Sequence, residues 1–324
     1  MPLEPRPEGR DSAVMTEAPV SRFRSLLRWA LPVLLAVLLL PSWVLFFSGG
    51  MLAVYGWQAL VALGQLLAPL TILVLMVHAI RKRRFSRPMW VTLVLALVTL
   101  WPGLWGFGVL VLPFPYDLEQ SAPPATVRLP SDETIRVAWG GDRLATNYYH
   151  ASTPDQRWAY DLVVEPAAHG SENLEDYGCY GTPVVAPVSA RVHYSTDGAP
   201  DHTPGAVSND MRNPGGNTVV LALDTGTFLL IAHLKNGSVL VEAGDKVREG
   251  DPIGACGNSG NTSEPHIHIH HQRQDPQNRP FNFSEGLPLY FRDHDGAAMP
   301  EGGFEVNNGQ VILTGAIVKH SLTE

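Results

Sequence analysis

The sequence predicts a two-part protein: three N-terminal transmembrane helices, then an all-β exported domain built as an antiparallel sheet or sandwich. Three observations predict it. Apolar residues crowd between Leu26 and Leu112 instead of spreading along the chain. Basic residues flank those apolar runs on one side only, and from Glu119 onward short β-branched runs alternate with turn clusters.

The elements follow in chain order. Residues 1–25, rich in Pro, Glu and Arg with little to bury, are expected to be a disordered cytoplasmic tail. Three apolar runs follow over 26–112, from Arg28 to Phe47, Leu52 to Ala79 and Met89 to Leu112. Each reaches the roughly 20 residues that a bilayer crossing needs. The first is longer than the apolar part of a cleaved signal, and no A-x-A pattern follows it. Arg22, Arg24 and Arg28 precede the first run, RKRRFSR (81–87) separates the second from the third, and the SGGM link between the first two carries no charge. Positive residues stay on the cytoplasmic side, so the N-terminus is expected inside and everything after Pro113 outside. His78, beside Arg81, reads as an interfacial residue. The stretch PFPYDLEQSAPPAT opens a proline-rich tether over 113–130, which leaves 131–324 as the β domain.

Within that domain TVVLALD and TFLLIAHL, joined by a TG turn after Asp224, form a hairpin pattern. No phosphate loop and no GxSxG elbow occurs, which argues against nucleotide and α/β-hydrolase chemistry. A net charge of -8, with the basic clusters beside the apolar runs, argues against a nucleic-acid partner. Cys179 and Cys256 both lie in the exported part, where a disulfide or two buried thiols are equally open readings.

The chemistry is concentrated in GNSGNTSEPHIHIHHQ (257–272). On a strand, His266, His268 and His270 share one face while Ile267, Ile269 and His271 take the other. A lone surface histidine needs no explanation. A same-face group directly behind a Gly/Asn loop points to a metal or catalytic site, because neutral imidazole is the commonest metal ligand. A hydrolytic zinc needs three protein ligands, so others must come from elsewhere: Asp161, His150, His169 or His233. His193, His202, His294 and His320 sit among ordinary loop and strand residues.

The ordered set YDLVV, GTPVVAPVSARV, GGNTVVLAL and IAHLKNGSVLVEAGDKVREGDPIGACGNSGNTSEPHIHIH, over about Asn147 to Gln272, resembles the lysostaphin-type zinc metallopeptidases, which cleave peptidoglycan cross-bridges. The resemblance implies a β fold of the duplicated hybrid motif type with the active site across a central sheet. It implies a zinc cofactor, with Asp161 and His268 as ligands and with His233 and His266 as the unliganded pair that activates water and stabilises the transition state. His270 and His271 match no family role and are expected at the rim. VEAGDKVREGDPI also resembles a lipoyl or biotinyl carrier turn, but Lys246 opens a strand there instead of standing at a hairpin tip.

One position departs from the pattern. Four residues before the aspartate the family has a histidine ligand, and this chain has Arg157, a permanent cation that cannot bind zinc. His150 is the expected replacement, on the argument that TNYYH and RWAYDLVV form adjacent strands that bring it opposite Arg157. The resulting expectation is a membrane-anchored, outward-facing zinc endopeptidase that hydrolyses peptide cross-links of peptidoglycan with a metal-activated water. Its partners would be the cross-link peptide, the lipid bilayer and cell-wall or division proteins. The alternative that Arg157 raises is a catalytically degenerate scaffold that binds peptidoglycan or activates another hydrolase.

Overall fold

The computed structural model describes residues 19–105, 109–111 and 113–321. Most of the expected N-terminal tail therefore lies outside the described residues, and residues 19–25 already belong to the first helix. Helix α1 (Pro19–Phe46) leads to α2 (Gly50–Ala62), which continues through a π turn at Leu63–Leu67 into α3 (Ala68–Lys82); α4 (Arg87–Gly103) follows. The stretches Arg28–Phe46 and Gly50–Arg81 are long and apolar enough to cross a bilayer. The third differs from expectation. Helix α4 holds 17 residues and ends at Pro102 and Gly103, where the sequence run continues to Leu112. At about 1.5 Å per residue it spans about 26 Å, short of a bilayer core of about 30 Å. The helices touch where side chains are missing: a Cβ on Gly56 would lie 2.2 Å from the Phe46 nitrogen, and one on Gly64 would lie 2.3 Å from the Gly103 nitrogen.

Residues 113–130 are not the free tether the proline content suggests. Phe114 is 1% exposed, and strand β1 (Ala125–Val127) is part of the domain. Aromatic burial outweighs the extended preference of the prolines here. The chain continues as β2 (Ile135–Trp139), β3 (Tyr160–Val163), β4 (Pro183–Val185), β5 (Ala190–Thr196), β6 (Asn217–Ala222), β7 (Phe228–Leu234) and β8 (Lys246–Val247). Then come β9 (Pro252–Ala255), β10 (Ile267–Gln272), β11 (Gly286–Leu287), β12 (Leu289–Phe291), β13 (Phe304–Asn307), β14 (Gln310–Leu313) and β15 (Ile317–Val318).

The central sheet runs β15-β2-β3-β10-β7-β6-β5-β8, with β11 on the end of β10, and every pairing in it is antiparallel. The expected hairpin is β6–β7, with Ala222 opposite Phe228. Two smaller ladders, antiparallel β4–β9 and parallel β1–β12, share one core with it. Val137, Tyr160, Leu162, Val219, Leu221, Leu229, Ile231, Ile267 and Ile269 fill that core from the sheet; Val184, Ile253, Leu289 and Phe291 fill it from the ladders. A disulfide joins Cys179 to Cys256, resolving the open choice between bridge and thiols. A second apolar cluster, Leu39, Phe46, Trp57, Leu60, Trp105, Phe114, Tyr116 and Trp158, joins the helices to the β domain.

Candidate metal centre

The core face of the sheet is apolar, so alternation sends the residues between the core positions to the opposite face. Tyr160 and Leu162 point into the core and Asp161 away from it; Ile267 and Ile269 point in, and His266, His268 and His270 away. Strands β3 and β10 are neighbours with His268 directly opposite Asp161, and the two side chains meet at 2.8 Å, His268 Nδ1 to Asp161 Oδ1.

His233 breaks the alternation. With Leu229 and Ile231 in the core, strict parity would bury His233 there too. The register instead passes from Val219↔Ile231 to Asn217↔Leu234, so β7 holds two residues where β6 holds one. His233 takes the surplus with φ 61°, a left-handed backbone that is costly for a non-glycine residue. The bulge returns Leu234 to the core and sends His233 to the site, 4.7 Å from the His266 ring and 5.6 Å from the His268 ring, centroid to centroid.

His150 arrives by a route the sequence argument did not foresee. TNYYH is a run of turns, not a strand, and the partner of β3 on that side is β2. The ring nevertheless reaches Asp161, with Nε2 3.5 Å from Oδ2, and lies 5.2 Å from the His268 ring. His150, Asp161 and His268 can each offer a ligand atom within 4.8 Å of the others, and so can His233, His266 and His268. His169 is outside this group, stacked on Tyr177. Arg157 also points elsewhere: its Nε donates to the Phe114 carbonyl at 3.1 Å and its Nη2 to Asp142 at 2.9 Å.

Two residues that the sequence reading passed over fix which nitrogens carry protons. Asn147 donates its amide to the carbonyls of Gly141 and Ala159, so its oxygen must accept from His150 Nδ1 at 2.8 Å; neutral His150 then turns a lone pair on Nε2 toward Asp161. Gln272 donates its amide to the Gln274 carbonyl at 2.6 Å, so its oxygen accepts from His270 Nε2 at 2.9 Å. His270 Nδ1 must then accept from His268 Nε2, also at 2.9 Å, and a neutral His268 presents a lone pair on Nδ1 to the carboxylate. His270 and His271 are 4% and 1% exposed, so the rim expected for them is not where they lie. The β10 register buries both, His270 in this relay and His271 between Thr227 and the Pro288 carbonyl.

The donor set thus consists of an acid and two imidazole lone pairs aimed at one another. Such a set closes around a cation, and its nitrogen and oxygen donors suit zinc. Burial pushes His150 down to about 4, against the pull of Asp161, and pushes His233 well below the usual imidazole range. Burial alone would raise Asp161, but His150 and His266 beside it hold it well below the usual carboxylate range. Burial alone would lower His266, but Asp161 at 3.4 Å and the Glu264 backbone raise it. His233 and His266 both spend Nδ1–H on a carbonyl, Ser259 and Glu264 respectively, which turns Nε2 of each ring toward the site, that of His266 lying 3.4 Å from Asp161 Oδ1.

Residues 174–282 match Peptidase family M23. That segment of the β domain is similar to the M23 family. His233, His266 and His268 lie inside the matched segment, and His150 and Asp161 precede it. Among solved structures, a mutant catalytic domain of the prophage-encoded M23 protein EnpA from Enterococcus faecalis is 16% identical, with 50% of this chain and 93% of that one covered and a TM-score of 0.33. The lysostaphin catalytic domain from Staphylococcus simulans is 21% identical, covering 43% and 79%, TM-score 0.26. A zinc-containing peptidase from Vibrio cholerae is 16% identical, TM-score 0.30; 45% of this chain matches 36% of that longer protein.

Proposed function

We propose that the protein is a zinc endopeptidase, anchored in the membrane by its N-terminal apolar helices with its M23 domain on the extracytoplasmic side, that hydrolyses peptide cross-links of peptidoglycan. The observation that carries this reading is the convergence of His150 Nε2 and His268 Nδ1 on the Asp161 carboxylate, with the tautomer of each imidazole fixed from behind. Those three residues would hold the metal. When bound, zinc supplies Lewis acidity and lowers the pKa of a water in its open position to about 7.

The chain's own residues do the remaining work. His233 and His266 turn Nε2 toward the site, so between them they can take a proton from the attacking water and return one to the leaving amine. Asn147 and Gln272 hold the ligand imidazoles in the tautomers that ligation needs. The buried disulfide fits an oxidising compartment, and the 81–87 basic loop fits the cytoplasmic side. The alternative of a degenerate scaffold rested on Arg157, which is engaged with Phe114 and Asp142 while His150 stands in the ligand set.

The test is to incubate the full chain in detergent with purified peptidoglycan and analyse the released peptides by mass spectrometry. New amine termini, absent with His268→Ala and with His233→Ala, are the expected result. A chain that carries one zinc and cleaves nothing would instead establish the scaffold.

A further inference from the structure

Asp161 and His268 are held by paired strands, whereas His150 sits on a run of turns between 141 and 159. A loop needs external ties to hold a ligand in place, and several of the ties on this one come from the membrane segment and its exit. Trp57 of α2 donates its indole N–H to the Ser152 carbonyl at 3.2 Å, and the Phe114 backbone N–H donates to the Ala151 carbonyl at 2.7 Å. These are the two residues directly after His150. Tyr116, just past Phe114, donates to the Gly50 carbonyl at the start of α2 and stacks on Trp158 with ring centroids 5.9 Å apart. On the far side of the loop, Arg157 holds the Phe114 carbonyl. The residue at the family's usual ligand position thus clasps the exit segment, and the imidazole that takes the ligand's place hangs from the same clasp.

We propose that Trp57 and the Phe114 exit segment are positioning elements of the metal centre, so that zinc affinity depends on docking of the M23 domain against helix α2. This rests on the reading of His150, Asp161 and His268 as ligands. A membrane partner that displaced α2 would act on the metal through the His150 loop alone, leaving the Asp161–His268 pair in register.

Zinc affinity measured by chelator competition on the full chain in nanodiscs tests the proposal, with Trp57→Phe keeping an aromatic ring while losing the N–H donor and the pyrrole half of the indole. A neutral hydrogen bond of ordinary strength predicts zinc binding roughly 3- to 10-fold weaker. The same substitution in a His150→Ala background should change affinity less than twofold, because the loop no longer carries a ligand. Cobalt substituted for zinc should show altered visible absorption in Trp57→Phe and none of that alteration in the double variant. Equal losses in both backgrounds, or no loss with Trp57→Phe, would overturn the proposal while leaving the ligand set standing. An unmutated chain that bound no zinc would remove the ligand reading and this proposal together.

Discussion

His270 is the residue whose replacement separates a relay from a filler. Its ring is 4% exposed, accepts from His268 Nε2 at 2.9 Å and donates to Gln272 at 2.9 Å. His270→Phe fills the space but strands one donor, the His268 Nε2–H, and one acceptor, the Gln272 oxygen. Each stranded group costs about 1–3 kcal/mol, so the domain should lose about 2–6 kcal/mol of stability. His268 is then free to move its proton to Nδ1, the atom that faces Asp161, and loss of an outer partner of this kind weakens metal binding about 10- to 100-fold. His270→Gln restores both contacts, with an amide oxygen for His268 and an amide N–H for Gln272. The assay is zinc competition on the full chain, together with nitrogen-15 shifts of His268 in the metal-free protein. The Gln variant should keep affinity within about threefold of the unmutated chain while the Phe variant falls. If the Phe and Gln variants bind zinc equally well, the tautomer argument is wrong.

Three further outcomes are expected. Asn147→Ala removes the partner of His150 Nδ1 and two backbone ties, and should weaken zinc binding about tenfold and lower the stability of the domain by about 1–3 kcal/mol, read by competition and by urea unfolding. In the metal-free protein, burial holds His150 and His271 at about 4 and His270 at about 3. The unfolded chain takes up protons below about 6.5 that these rings and His233 refuse, so together they lower stability as pH drops from about 7 toward 4; His266 and Glu264, raised, and Asp155, pushed up to about 7 by burial, work in the opposite sense, three groups against four. A urea midpoint at pH 5 no lower than at pH 7 would contradict this. Replacing Cys179 and Cys256 together by Ser opens a loop of 77 residues, which predicts a loss of about 4.5 kcal/mol, read as a lower thermal midpoint than that of the oxidised protein.

How much of this was legible in the sequence depended on how local the cause was. The hairpin β6–β7 could be read because its turn and its apolar strands are adjacent in the chain. The face of β10 could be read because period two is a local rule, and the same rule, carried two residues further, already placed Gln272 on the face of His268 and His270. The third span could not, since a hydrophobic run records burial preference but not where Pro102 and Gly103 end the helix. His150 was named for a reason that does not hold: the strand pair imagined for it is absent, and its ring reaches Asp161 from a turn held in part by contacts from residues as distant as Trp57. Asn147 lies three residues before His150, a spacing at which a polar side chain can reach back within one turn, and that was the available signal for it.

The extra residue in β7 has a consequence beyond His233. A strand is read two by two, and its inside and outside are fixed by that reading frame. At Ala232 and His233 the frame slips once, and the slip also sets Leu234 opposite Cys256, the anchor of the disulfide. Loops absorb insertions and deletions as changes of length. In β7 the loss of one residue would act as a frame shift: the chain downstream would keep its length and composition while exchanging the side chains meant for oil with those meant for chemistry. Upstream of that point the strand can drift in sequence as long as it stays apolar, but the count of residues between Ile231 and Leu234 is fixed.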